Sequence, residues 1–327
     1  MPAVMRIMNT GLLRVVVWFC GVAGGVLPLA ASPLQRADVP AEPGWVLHLD
    51  CDGLRPTAIG QCLLAEMEKP EAQGKLAAFQ TIFNFDLRKQ LHGVTLYSAG
   101  QRPQDGVLLV YADFEADRLI TLAKGAKDYQ GTTYKAHVIH NWIDEKKKGK
   151  EGVQPRVYAA IHGGRVVIFG QQEPCVARAL DVLDRATANL AGSTLFAQLG
   201  AGGSGGFIQA AARKLDLPEG DPNTAMLRLA KAARLEVGEV QGQLKATLNL
   251  EAKDEEVARQ MALVGQGLLA LMKLQKDNPG SVKVAEALAL KQEGAGVVVR
   301  LGVSTSDAIE LMKADAARKT QKKAGSE

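Results

Sequence analysis

The chain has 327 residues, with 39 Lys+Arg against 35 Asp+Glu and a formal net charge of +4. At 47% hydrophobic and 23% charged residues, with four cysteines, it falls outside the disordered, collagen-like, polytopic membrane and disulfide-dense classes. The basic excess is concentrated in the last fifteen residues, where Lys313, Arg318, Lys319, Lys322 and Lys323 outnumber Asp315 and Glu327. The remaining body is nearly neutral and only 5% of residues are aromatic, which is not the footprint of a nucleic-acid binder.

Residues 1–32 read as a secretory signal peptide. Arg6 and Arg14 give the positive start, Val15 to Leu29 the apolar stretch, and Ala30-Ala31-Ser32 the small residues of a cut near Ala31. The stretch is shorter than the ~20 apolar residues of a spanning helix, and Gly24, Gly25 and Pro28 interrupt it. The expected location is therefore the periplasm or the exterior, with membrane contact only through this segment if it stays uncleaved. No lipidation pattern precedes Cys20. Residues 33–44, with Pro33, Pro40 and Pro43, read as an extended lead-in.

In Trp45–Cys51 the period of two puts Trp45, Leu47, Leu49 and Cys51 on one face, and His48, Asp50 and Asp52 on the other. The second set reads as the solvated side of an edge strand, with Asp52-Gly53 as its turn. Helices are predicted near 57–68 and 75–85, and strands over 93–98, 107–111 and 134–142. Val157–Ile161 and Val166–Phe169 flank His162-Gly163-Gly164-Arg165, a tight-hairpin signal. Two further hairpins are predicted, 235–240 with 244–252 around Gln241-Gly242, and 287–291 with 297–303 around Gly294-Ala295-Gly296. Hairpins require antiparallel pairing, so the fold class is α+β, with one or more antiparallel sheets covered by amphipathic helices.

A strand–break–helix pattern recurs at 107–124, 166–184, 244–271 and 297–313, a weak internal duplication of pattern rather than of letters. In the third copy Asp254 is the expected cap, and Val257, Met261, Val264 and Leu268 the apolar stripe. In the fourth, Ser304 or Ser306 caps, with Asp307 and Glu310 in the first turn. The charged run 144–155 reads as a long hairpin connection, and the turn-rich run 217–223 as a boundary. The chain then divides into an N-terminal α+β region (33–216), a C-terminal ββαββα-like region (217–317) and a basic flexible tail (318–327).

Export permits disulfides. Without Cys20 the cysteines are Cys51, Cys62 and Cys175, an odd number, so at most one bridge forms. Cys51 and Cys62 are close enough in sequence to meet; equally, all three read as small buried hydrophobes.

Motifs for chemistry are few. Gly200–Gly206 spells both a dinucleotide fingerprint and, around Ser204, a nucleophile elbow. The first needs a preceding strand and a following helix, and Thr194–Leu199 reads as helical. The second needs a later His, and the five histidines, His48, His92, His137, His140 and His162, all precede Ser204. The run is thus expected to be a flexible glycine loop. His48, Asp50 and Asp52 are the weak catalytic candidates, an imidazole and two carboxylates suited to acid–base work or a divalent ion. A calcium loop beginning at Asp50 fails, because Leu54 and Gln61 stand where ligands are needed. On a regular strand 134–142, His137 and His140 face opposite ways. His140 is expected on the apolar face with Tyr134, Val138 and Trp142, and His137 in solvent. No HExxH, CxxC or P-loop occurs, so no metal and no cofactor is expected.

Trp45-x-x-x-Leu49-Asp50-x-Asp52-Gly53-Leu54, Leu96-Tyr97-Ser98 and His137-x-x-His140-x-Trp142 together resemble uncharacterised exported α+β proteins of bacteria. The resemblance is loose, spans most of the chain beyond the signal segment, and implies export and fold class but no activity. The expected function is a non-catalytic binding or envelope-interaction protein, its partner a small apolar ligand or an envelope protein. The alternative is an exported metal-dependent or acid–base hydrolase using His48, Asp50 and Asp52.

Overall fold

A computed structural model describes residues 33–98, 102–145, 154–194, 196–197, 199–200, 206–213, 225–275 and 279–324. The signal segment 1–32, the boundary run 217–223 and residues 201–205 of the glycine run lie outside the described residues.

Twelve strands form one sheet. In chain order they are β1 (Trp45–Asp50), β2 (Leu91–Ser98), β3 (Gly106–Ala112), β4 (Gln130–Tyr134), β5 (His137–Ile143), β6 (Arg156–His162), β7 (Val166–Gly170), β8 (Gly206–Arg213), β9 (Ala232–Val240), β10 (Gln243–Glu251), β11 (Leu288–Glu293) and β12 (Gly296–Ser304). The spatial order is β11-β12-β10-β9-β8-β1-β2-β3-β7-β6-β5-β4, and every pair is antiparallel. β8 and β9, on either side of the run at 217–223, pair directly.

The helices are α1 (Cys51–Leu54), α2 (Ala58–Met67), α3 (Pro70–Phe83), α4 (Leu87–Gln90), α5 (Ala116–Lys124), α6 (Glu173–Leu183), α7 (Ala225–Arg228), α8 (Glu255–Leu274), α9 (Pro279–Ala287) and α10 (Thr305–Ala324). All four repeated strand–helix units form, as β3–α5, β7–α6, β10–α8 and β12–α10. The caps are as the letters require: Asp254 accepts from the Val257 N–H at 2.8 Å, and Ser304 Oγ accepts from the Asp307 N–H at 3.1 Å. Helix α10 continues to Ala324, so most of the basic tail forms its last turns.

One face of the sheet carries a core of Val46, Tyr97, Leu109, Ile139 and Ile168, closed by Val176 and Leu180 of α6 and by Leu34, Val39 and Leu190. The opposite face packs Leu54, Ile59, Phe85, Val94 and Leu108 together with Val303 of β12 and Ala308 of α10. A third cluster seats Ala258, Met261 and Ala262 of α8 on Leu250 and Val297.

Several expectations change. The strand expected over 134–142 is two strands, because Lys135 takes φ 52° and turns the chain between Tyr134 and His137. The described residues of 194–199 are turn or bend rather than helix, and the strand β8 follows the glycine run where a dinucleotide site needs a helix. Residues 33–44 are more than an extended lead-in: Arg36–Asp38 forms a 3₁₀ turn and Val39 is fully buried. The buried stripe of α8 is Ala258, Met261, Ala262 and Gly265, sharing only Met261 with the expected one. This rotation leaves Leu263, Leu271 and Leu274 at 62%, 60% and 72% exposure. Cys51 and Cys62 are not bridged, and Cys175 is likewise a thiol. Among the described residues no helix is long and apolar enough to cross a membrane.

Candidate functional site

β1 is flanked by β8 and β2, so it is a central strand and not an edge. Its His48 face lies under the folded lead-in. His48 and Asp50 are accordingly among its buried residues, at 2% and 4% exposure, where a solvated face was expected. The three candidates do separate things. His48 Nδ1 lies 2.9 Å from Thr95 Oγ1. Asp50 Oδ1 accepts from the Gly53 N–H at 2.7 Å and caps α1. Cys51 and Asp52 belong to α1 and not to the strand, so neither keeps the alternation read from the sequence.

Asp52 is buried and meets Arg55 at 2.6 Å and His92 Nδ1 at 3.0 Å. His92 Nε2 then reaches Asp113, whose side chain is exposed, at 2.9 Å. The line Arg55–Asp52–His92–Asp113 joins α1, β2 and the end of β3. His92 was not singled out by sequence, since it stands alone in its strand without a motif around it.

A second cluster lies on the α6 face. β5 and β6 pair with His140 opposite Ala159 and Ile143 opposite Arg156. Extending that register towards the strand ends sets His137, the first residue of β5, opposite His162, the last of β6. Opposed residues share a face, and the two rings lie 5.5 Å apart between centroids. The third member comes from α6. β7 has five residues and α6 eleven, and at ~3.3 Å per strand residue and ~1.5 Å per helical residue each spans about 16 Å. The helix therefore returns over the start of β7, beside His162, and its C-cap Asp184 lands on the histidine pair. Asp184 Oδ2 lies 2.8 Å from His137 Nε2, and its Oδ1 3.0 Å from His162 Nε2. Burial alone pushes the Asp184 carboxyl up, but hydrogen bonds from both histidines outweigh it and hold it below the usual carboxylate range.

His137 thus faces α6 together with Ile139 and is not in solvent, while Val138, expected on the apolar face, is 43% exposed. His140 is buried, and the Tyr129 hydroxyl lies 2.8 Å from its Nδ1. The strand break at Lys135 causes both differences, since it removes Tyr134 from the strand that set the expected faces.

Beside this cluster an open groove of about 820 Å³ runs along α6. Pro40, Tyr134, Pro174, Ala177 and Val182 give it apolar walls, and Glu173, Arg178 and Asp181 its charges. Tyr134 and Lys135 both bond Asp181, at 3.0 and 2.5 Å, and brace its wall.

No family model and no curated protein matches the chain. Among solved structures it is similar to TP0453. Crystal form III of that protein gives a TM-score of 0.49 at 10% identity, covering 87% of this chain and 99% of that one. Crystal form I gives 0.45 at 10% identity, with 88% and 99% covered.

Proposed function

We propose that the protein is an exported, non-catalytic binding protein that takes a small apolar ligand or an envelope partner in the groove along α6. The observation that carries this reading is the groove itself. Its volume, about 820 Å³, falls in the ~300–1,000 Å³ range of ligand sites, and its walls are mainly apolar with few charges. The apolar start of the chain supports export. The division at 217 and the localisation belong to the same proposal.

Native mass spectrometry of the protein, purified gently from its host, tests the reading. A retained mass that is lost on denaturation, and is also lost in Ala177→Trp and Arg178→Glu, is the expected result. A mass that both variants retain unchanged removes the groove. A bare wild-type chain removes the small-ligand form, and cross-linking in the envelope then decides for or against a protein partner through α6.

The second reading, an exported metal-dependent or acid–base hydrolase, has one observation in its favour: Asp52 meets His92, which reaches the exposed Asp113. Under that reading His92→Gln abolishes hydrolysis of an ester and phosphoester panel. A wild type inactive on the whole panel eliminates it.

A further inference from the structure

We infer that His137, His162 and Asp184 form a three-ligand site for a divalent transition-metal ion of the zinc type. One donor atom from each residue lies within 4.8 Å of the others. Two imidazole nitrogens and a carboxylate oxygen form a donor set that borderline divalent ions accept, and one that magnesium and calcium, which prefer all-oxygen sites, do not.

The spacing fits such an ion. With bonds of about 2.1 Å, two ligands at a right angle sit about 3.0 Å apart, and two at the tetrahedral angle about 3.4 Å. The observed nitrogen–oxygen separations are 2.8 and 3.0 Å. Each is to a different oxygen, Oδ2 for His137 and Oδ1 for His162, so they match an ion held near right angles by both carboxylate oxygens, and the tetrahedral spacing needs an opening of about half an ångström. Each histidine offers Nε2, so an ion displaces the two Nε2 hydrogen bonds and each neutral ring carries its proton on Nδ1 instead.

The ligands come from rigid elements. His137 follows the turn at Lys135, and His162 precedes a turn whose two glycines, Gly163 and Gly164, take φ of 58° and 67°. Asp184 is pinned by its N–H to the Leu180 carbonyl at 2.8 Å. Side-chain exposures of 16%, 24% and 33% leave one side open, so water or a ligand from solution completes the coordination. The helix end adds a further argument. A carboxylate at a helix C-terminus opposes the macrodipole, and a dication bound there offsets both charges.

The test uses zinc chloride and the chain lacking residues 1–32, followed by calorimetry and by imidazole NMR signals. One zinc per chain is expected, moving the His137 and His162 signals and leaving those of His48, His92 and His140 in place. His137→Gln, His162→Gln and Asp184→Asn should each weaken zinc by at least about ten-fold, a loss that even outer ligand partners produce, whereas Asp52→Asn and Arg178→Glu should not. Zinc that leaves the two signals unmoved, or that binds the three variants as well as the wild type, overturns the site. If a variant fails to fold, the wild-type spectra alone decide. This outcome is independent of the groove, because Arg178→Glu, which should remove a ligand held in the groove, should leave zinc binding unchanged.

Discussion

The two histidine–aspartate clusters are inversions of one another. Around His92 a single imidazole lies between two carboxylates, with Asp52 on Nδ1 and Asp113 on Nε2. Around Asp184 a single carboxylate lies between two imidazoles, each offering Nε2. The nitrogens of one ring point in opposite directions, so the first cluster gives an ion only one nitrogen and spends the other on a different acid. The second brings three donors, one from each residue, within 4.8 Å of one another. Residue types alone do not separate a charge relay inside the fold from a metal centre; which donor atoms lie together does.

Substituting aspartate by asparagine in each cluster sharpens this contrast. The largest expected effect is at Asp52, whose side chain is 4% exposed and faces Arg55 at 2.6 Å. Arg55 is itself anchored to the Arg88 and Leu91 carbonyls at 3.0 and 2.8 Å. Removing one charge of a buried pair strands the other, so Asp52→Asn should cost about 3 kcal/mol in denaturant unfolding. A cost below about 0.5 kcal/mol, the value of an exposed pair, would mean that the line is solvated and the contrast false. Asp184→Asn should behave oppositely. In the metal-free chain it should cost only about 0.5 kcal/mol, because Asp184 is 33% exposed, while its zinc affinity falls as described above.

Much of this architecture is legible in the letters, and the reasons are local. Hairpins are marked by glycines in their turns, the helix cap Asp254 is read directly and Ser304 is one of two candidates, and the four strand–helix units follow from the change of period. The clusters are not legible in the same way. His137 and His162 are joined by a register that depends on how the long 144–155 connection closes, and Asp184 by the matched lengths of β7 and α6. Neither quantity is written in any local motif. The misplacement of His48 and Asp50 has the same origin. Alternation correctly put them on one face, but the position of β1 in the sheet, and the lead-in folding over it, decide whether that face is wet.

Asp50 gives a smaller test of how structural roles displace chemical ones. Its carboxylate caps α1 through the Gly53 N–H. Asp50→Ala should therefore cost about 1 kcal/mol, and Asp50→Asn, which keeps the cap, should cost less. A large loss in Asp50→Asn would show that the negative charge itself matters and would return Asp50 to the list of chemical candidates.

The smallest effect concerns His140, which like His48 takes part in neither cluster. Burial, and then the nearby Lys124, lower the His140 pKa below its ordinary value of 6.5. The unfolded chain therefore takes up a proton at this residue before the folded one does. Its contribution to stability is complete above the unfolded value, declines as pH falls from there to the folded pKa, and is constant below it. Unfolding of the wild type and of His140→Gln, followed through that window in metal-free buffer, should show a shallower decline in the variant. A slope that does not change would mean that His140 is solvated in the folded state. Its 2.8 Å contact with Tyr129 would then be a surface interaction.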